Sequence, residues 1–164
     1  MDLSNKEKQT IVEDYKKSVN EEVLAFIKDV LDNKTTKKYV VVSTVSEIMA
    51  KEVQDLTGKQ IEGNSILLDT NAVRHIIKRH GPNGQQDNSM TDPADIARIG
   101  YVINNYDEII YDGITTTGYT DENQNPSPIL VLRKRINGTY YVIKAAGSSA
   151  NKRSYIVSAY IAKA

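Results

Sequence analysis

Residues 67–82 run Leu67-Leu68-Asp69-Thr70-Asn71-Ala72-Val73-Arg74-His75-Ile76-Ile77-Lys78-Arg79-His80-Gly81-Pro82 and hold both histidines of the chain. Asp69 or Thr70 can cap a first helical turn, Gly81 offers a left-handed stop, and Pro82 forbids continuation. A short helix with both ends marked is therefore expected. At about 100° per residue, Val73, Ile76 and Ile77 form one apolar stripe. His80 falls near the centre of that stripe and His75 on the opposite face. An inward histidine in the last turn, beside Lys78 and Arg79, suits acid/base chemistry. It suits equally a core histidine bonded to a backbone carbonyl, while His75 reads first as a solvated surface residue.

Around this helix there is enough chain for one core. The 164 residues are 40% hydrophobic and 26% charged, the profile of an ordinary soluble globule. The absence of cysteine removes disulfides, thiolate nucleophiles and cysteine-ligated zinc. The two histidines lie five apart with no intervening glutamate, so the zinc-protease pattern is missing and no metal or other cofactor is expected. No apolar run approaches the roughly 18 residues of a membrane span and no signal-peptide pattern occurs. No membrane partner is expected, and the default location is cytoplasmic. Lys and Arg number 21 against 21 Asp and Glu, so nucleic-acid binding has to come from local clustering of charge.

Upstream, residues 4 to 31 show helical spacing, with Ile11, Val12, Tyr15, Val19, Val23, Phe26, Ile27 and Val30 on one side. Ser18 followed by Glu21 is a capping-box pattern, so two helices, roughly 5 to 17 and 19 to 31, are as well supported as one. Residues 1–36 read as a helical arm or linker, the polar stretch 32–38 as the boundary, and 37–164 as the main domain. Residues 39–42 are a β-branched run that reads as a strand, and Thr44 followed by Glu47 opens a helix that Gly58 closes. Ile61 and residues 65–68 lead, extended, into the histidine helix. Residues 81–90 form a long polar loop, of the kind that serves as a lid or as a plain connection. Asp92 and Pro93 then start a helix whose Ile96, Ile99 and Ile103 face inward.

From Asp107 the period drops to two. Residues 108–111 make one strand, a polar excursion occupies about 112–128, and a last strand runs over about 153–161. Asn137-Gly138 is the strongest two-residue turn signal and pairs Ile136 with Thr139, Arg135 with Tyr140, Arg133 with Val142 and Val131 with Lys144. Alternation places Leu130, Leu132, Ile136, Tyr141, Ile143 and Ala145 on an apolar face and Arg133, Arg135, Tyr140 and Lys144 on the other. On the last strand Tyr155, Val157, Ala159 and Ile161 form the more apolar side, with Ser154, Ile156, Ser158 and Tyr160 opposite. If these strands are neighbours, one face collects Arg133, Arg135, Tyr140, Lys144, Ser158 and Tyr160. Such a face fits a polyanion, and it is also what the solvated side of a half-covered sheet looks like.

The run Arg74 to Gly84, then Asp95-Ile96 with Val102-Ile103, Tyr106-Asp107-Glu108-Ile109, the hairpin Arg135 to Val142 and Ser158-Ala159-Tyr160-Ile161 resembles a known family in this order. That family is the phage-associated branch of the barnase/EndoU/colicin/RelE-like nuclease superfamily, and the resemblance spans roughly residues 38 to 162. It implies an α+β fold in which N-terminal helices precede a curved, mostly antiparallel four-stranded sheet. It also implies toxin-like, metal-independent cleavage of RNA, tRNA included, in a phage or mobile-element setting. In that chemistry a base takes the 2′-hydroxyl proton, the oxygen attacks the adjacent phosphate, and an acid protonates the leaving 5′-oxygen. His80 matches the family's helix histidine as general acid or base, with His75 the second candidate. Lys144 and Arg133 would stabilise phosphate charge, Ser158 and Tyr160 would position substrate, and Arg135 and Tyr140 complete the RNA-binding face. No cofactor is implied; an inhibitor or immunity protein is the further partner. The rival expectations are an inactive RNA-binding module using the same basic face, and a protein-interaction module of a phage polyprotein docked through residues 4–31.

Overall fold

Asn137 and Gly138 both take positive φ, 47° and 82°, the pair of left-handed conformations that joins twisted antiparallel strands without splaying them. The computed structural model describes residues 3–163; residues 1, 2 and 164, the outer ends of the expected arm and domain, lie outside them. The elements run α1 (Asn5–Lys17), α2 (Glu21–Leu31), β1 (Tyr39–Thr44), α3 (Glu47–Thr57), β2 (Ser65–Asp69), α4 (Thr70–His80), α5 (Pro93–Ala97), α6 (Ile99–Asn104) and β3 (Glu108–Ile110). Then follow β4 (Thr115–Thr120), β5 (Pro126–Ile136), β6 (Thr139–Ser149) and β7 (Arg153–Lys163). The hairpin register is the expected one, from Ile136 opposite Thr139 to Val131 opposite Lys144.

The chain is α+β, but the sheet is larger than the four strands the resemblance implies. Seven strands form an open sheet in the order β1-β2-β7-β6-β5-β3, with β4 joined to β5. The reason lies in β2. Ile66, Leu67 and Leu68 are consecutively buried, which a strand manages only with both faces covered and neighbours on either side. It pairs antiparallel with β1 and runs parallel to β7 through Ser65–Leu67. At the other edge, β4 forms inside the stretch expected as a polar excursion, setting Thr115 opposite Pro128 and Thr116 opposite Ser127.

The expected faces of β7 need correction. Lys144 faces Ser158 but Ala145 faces Ile156, so Val157 is an extra residue in the ladder. A one-residue slip reverses every side chain beyond it. Ile156, expected on the polar side, is therefore fully buried and Ser154 lies buried with it, while Tyr155 joins the face of Ser158 and Tyr160.

All six helices contribute to, or pack against, the core on the other sheet face. Val23, Phe26, Ile27 and Val30 of α2 share one core with Val53 of α3, Val73 and Ile76 of α4, and Ile99 and Val102 of α6. The sheet contributes Leu68, Leu132, Tyr141, Ile143, Ile156 and Ala159 to it. Ser18 closes α1, its hydroxyl donating to the Tyr15 carbonyl, and Asn20 rather than Ser18 caps α2 by accepting from the Val23 N–H. Leu67, Val142 and Ala146 are buried on the opposite face, apart from that core. Among the described residues no helix is long and apolar enough to cross a membrane.

Candidate active site

Helix α4 starts where β2 stops because Asp69 caps it, Oδ1 accepting from the Ala72 N–H at 2.7 Å. Its end differs from the expected left-handed stop, for Gly81 has φ −82°. Glycine is required there for a steric reason. A Cβ would stand 2.6 Å from the Ile77 carbonyl oxygen, which accepts the Gly81 N–H at 2.9 Å. His80 consequently closes the helix pointing inward, 4% exposed.

The loop after α4 turns back and satisfies the helix's last carbonyls. Gln85 N–H donates to Lys78 O at 3.0 Å, Gln86 N–H to Arg79 O at 2.9 Å, and Met90 N–H to His80 O at 2.8 Å. This brings Asp87 to the imidazole, with His80 Nδ1 and Asp87 Oδ2 3.0 Å apart. Asp87 Oδ1 accepts from the Ser89 N–H at 3.0 Å and from its hydroxyl at 2.8 Å. The same Ser89 oxygen accepts the Ile161 N–H of β7 at 3.0 Å. The polar loop is thus stapled to both helix and strand. Asp87 was not among the expected site residues, since an acid in a polar loop carries no periodic signal.

Partial burial pushes the Asp87 carboxyl up, but the N–H and hydroxyl of Ser89 together with His80 outweigh it and hold the carboxyl below its ordinary value. An ionised carboxylate only accepts, so Nδ1 of His80 is the donor. In the neutral ring Nε2 then carries the lone pair.

The His80 ring stacks on Tyr160 of β7, centroids 4.9 Å apart and planes 26° from parallel. Lys144 Nζ lies 6.0 Å from the centre of the same tyrosine ring, and Lys144 stands opposite Ser158 in the β6–β7 ladder. His75, expected on the solvated face, is part-buried at the rim of this cluster. Burial is the main cause of its lowered pKa, and the positive charges of Arg79, His80, Lys78 and Lys144 lower it further. His80, Tyr160, Lys144 and Ser158 therefore come together, with His75 beside them.

The rest of the expected basic face is arranged differently. Arg133 lies in the cross-strand row of Val142 and Tyr160, but it forms an ion pair with Glu108 of β3 and packs over Tyr140 at 5.4 Å. Its charge is answered within the protein. Arg135 is exposed and lies one row further toward the hairpin turn. Together with Tyr140, Lys8 and Ile11 it lines a groove of about 640 Å³ away from His80. Among the described residues no cluster of three or more His, Cys, Asp or Glu side chains is placed to hold a metal ion.

The α+β domain thus sets a histidine held by a carboxylate against a tyrosine that a lysine also approaches, side-chain types with which general acid–base chemistry on an anion can be done. The chain belongs to the phage-Barnase-EndoU-ColicinE5/D-RelE like nuclease3 family, whose match covers residues 43–164 and takes in every residue of this cluster. The resemblance drawn from the sequence is borne out. No curated protein and no solved structure matches the chain.

Proposed function

We propose that this nuclease-family chain is an endoribonuclease of phage or mobile-element origin that cleaves RNA, tRNA included, without a metal ion. The observation that supports this reading best is the His80–Asp87 pair at 3.0 Å beside Tyr160 and Lys144. Asp87 holds the Nδ1 proton and so turns Nε2 toward proton transfer. Nε2 takes the proton of a ribose 2′-hydroxyl, and the oxygen attacks the neighbouring phosphorus. Lys144 offsets the charge that builds on the phosphorane oxygens, and Ser158, opposite it, supplies a hydroxyl for hydrogen bonding. The proton passes from the imidazolium to the departing 5′-oxygen as the P–O bond breaks. The products are a 2′,3′-cyclic phosphate and a 5′-hydroxyl. His75 borders this site as the second acid–base candidate. A cell making such an enzyme needs protection, which an inhibitor or immunity protein would supply.

The test is incubation of the protein with tRNA and with a labelled single-stranded RNA in EDTA, beside His80→Ala, followed by end-group analysis. Cyclic phosphate ends from the wild type, with His80→Ala slower by about 10²- to 10⁴-fold, are expected. Equal cleavage by the variant removes His80 from the chemistry. Cleavage that appears only with added divalent cation replaces the metal-free reading.

A further inference from the structure

Lys144 is flanked along its sheet face by two aromatic stacks, and the mechanism uses only one of them. On one side lies the His80–Tyr160 pair. On the other, Tyr155 of β7 stands opposite Ala146 of β6, two residues along the strand from Lys144, which at strand rise is about 7 Å. Tyr119, carried over the sheet by β4, stacks on Tyr155 with centroids 4.4 Å apart and planes 18° from parallel. Its hydroxyl donates to Asp69 Oδ2 at 2.8 Å, which ties the β4 arm to the start of α4.

The bulge at Val157 creates this arrangement, since without it Tyr155 would point into the core. Arg153 sits beside the stack. Its guanidinium reaches the Tyr155 hydroxyl at 3.3 Å and the Tyr39 hydroxyl at 3.2 Å, and lies 4.9 Å from the centre of the Tyr39 ring. Tyr39 and Val41 of β1 are exposed next to it, at 36% and 50%. No acidic side chain pairs with Arg153 among the described residues, unlike Arg133, which Glu108 answers. A flat aromatic pair, an arginine without a carboxylate, and an adjacent lysine at about one nucleotide's distance make a surface for a base followed by a phosphate.

We propose that Tyr119 and Tyr155, with Arg153 and Tyr39 beside them, form a nucleobase-stacking subsite next to the phosphate anchored at Lys144, so that the substrate is single-stranded RNA. This rests on the nuclease reading above and deepens it. The base extends the stack at Tyr119, and Arg153 meets the phosphate beyond it. A base held in a duplex is already stacked on its own neighbours and is not free to join Tyr119, so paired RNA is excluded.

The test separates binding from cleavage. The probe is a single-stranded RNA hexanucleotide carrying 2-aminopurine, titrated into the full chain bearing His80→Ala, and into that chain with Tyr119→Leu, Tyr119→Phe or Arg153→Gln added. Fluorescence quenching and an affinity about tenfold weaker with Tyr119→Leu are expected. Tyr119→Phe, which keeps the ring and loses the bond to Asp69, should bind as the His80→Ala parent does. Arg153→Gln should weaken binding and flatten its salt dependence. An abasic hexanucleotide should bind the parent and Tyr119→Leu alike. Equal binding of the 2-aminopurine probe by parent and Tyr119→Leu overturns the subsite, as does a loss with Tyr119→Phe equal to that with Tyr119→Leu. Tight stacking binding by a chain whose wild type cleaves no RNA leaves the subsite standing and removes the nuclease reading.

Discussion

His80 Nδ1 and Asp87 Oδ2 stand 3.0 Å apart across a turn of seven residues, and the other oxygen of Asp87 is held by Ser89, which also binds the Ile161 N–H. Helix, loop and strand thus meet on a single carboxylate. Asp87→Asn keeps the shape but removes the negative charge that faces the imidazolium during proton transfer. We expect kcat to fall by about 10- to 100-fold with KM little changed, measured by steady-state cleavage of a labelled RNA. An unchanged kcat would reduce Asp87 to a loop anchor. The variant should also alter acid stability. The Asp87 carboxyl is held below its ordinary 3.8, so it contributes stability that is present above that value and is lost as pH falls through the lower folded one. Thermal melts from about pH 5 downward should therefore fall less steeply for Asp87→Asn than for the wild type.

Gly84 lies tight against the backbone of both the helix end and the loop. A Cβ there would stand 2.1 Å from the Asp87 carbonyl oxygen and 2.6 Å from that of Arg79, both backbone atoms that cannot swing aside. Gly84→Ala should displace Asp87 from His80 while leaving the sheet intact. Circular dichroism close to wild type with cleavage down by at least tenfold is the expected pair of results. Retained activity would show that the loop tolerates the shift and that the His80–Asp87 distance is not critical.

Titration of His75 should be visible in stability. Its pKa is lowered from 6.5, first by burial and then by Arg79, His80, Lys78 and Lys144. The unfolded chain therefore binds this proton more readily than the folded one, and stability declines as pH drops through 6.5 toward the folded value. His75→Gln, neutral throughout, should lose less Tm than the wild type between about pH 7.5 and 5. Parallel curves would mean that the imidazole is solvated like an ordinary surface histidine.

The bulge in β7 is testable by two truncations. Ile156 is fully buried, whereas Val157, its neighbour in the bulge, is part-exposed. Ile156→Ala should cost about 2–5 kcal/mol of unfolding free energy, and Val157→Ala about 1 kcal/mol or less, by urea denaturation. Even alternation along β7 would give the reverse order.

Local physics made much of this molecule legible in the amino-acid sequence. The Asp69 cap, the inward His80, the break between α1 and α2 and the register of the Asn137-Gly138 hairpin all follow from residues within a few positions of one another. The family was legible too, because its motifs are carried by the same local segments in a fixed order. Distant pairing decided the rest. The place of β1 and β2 in a seven-stranded sheet depends on which edge they meet, and the Val157 bulge is a feature of how β7 pairs with β6. Likewise Glu108 neutralises Arg133, and Ser89 aims Asp87 by way of Ile161, through contacts between segments far apart in the chain. The sequence by itself determined the helix that carries the histidine and the strands that carry the lysine and tyrosine. Only the tertiary structure decided which carboxylate holds that histidine, which arginine Glu108 pairs with, and which tyrosines share the face of Lys144, because these depend on register and packing between elements rather than on conformation within one.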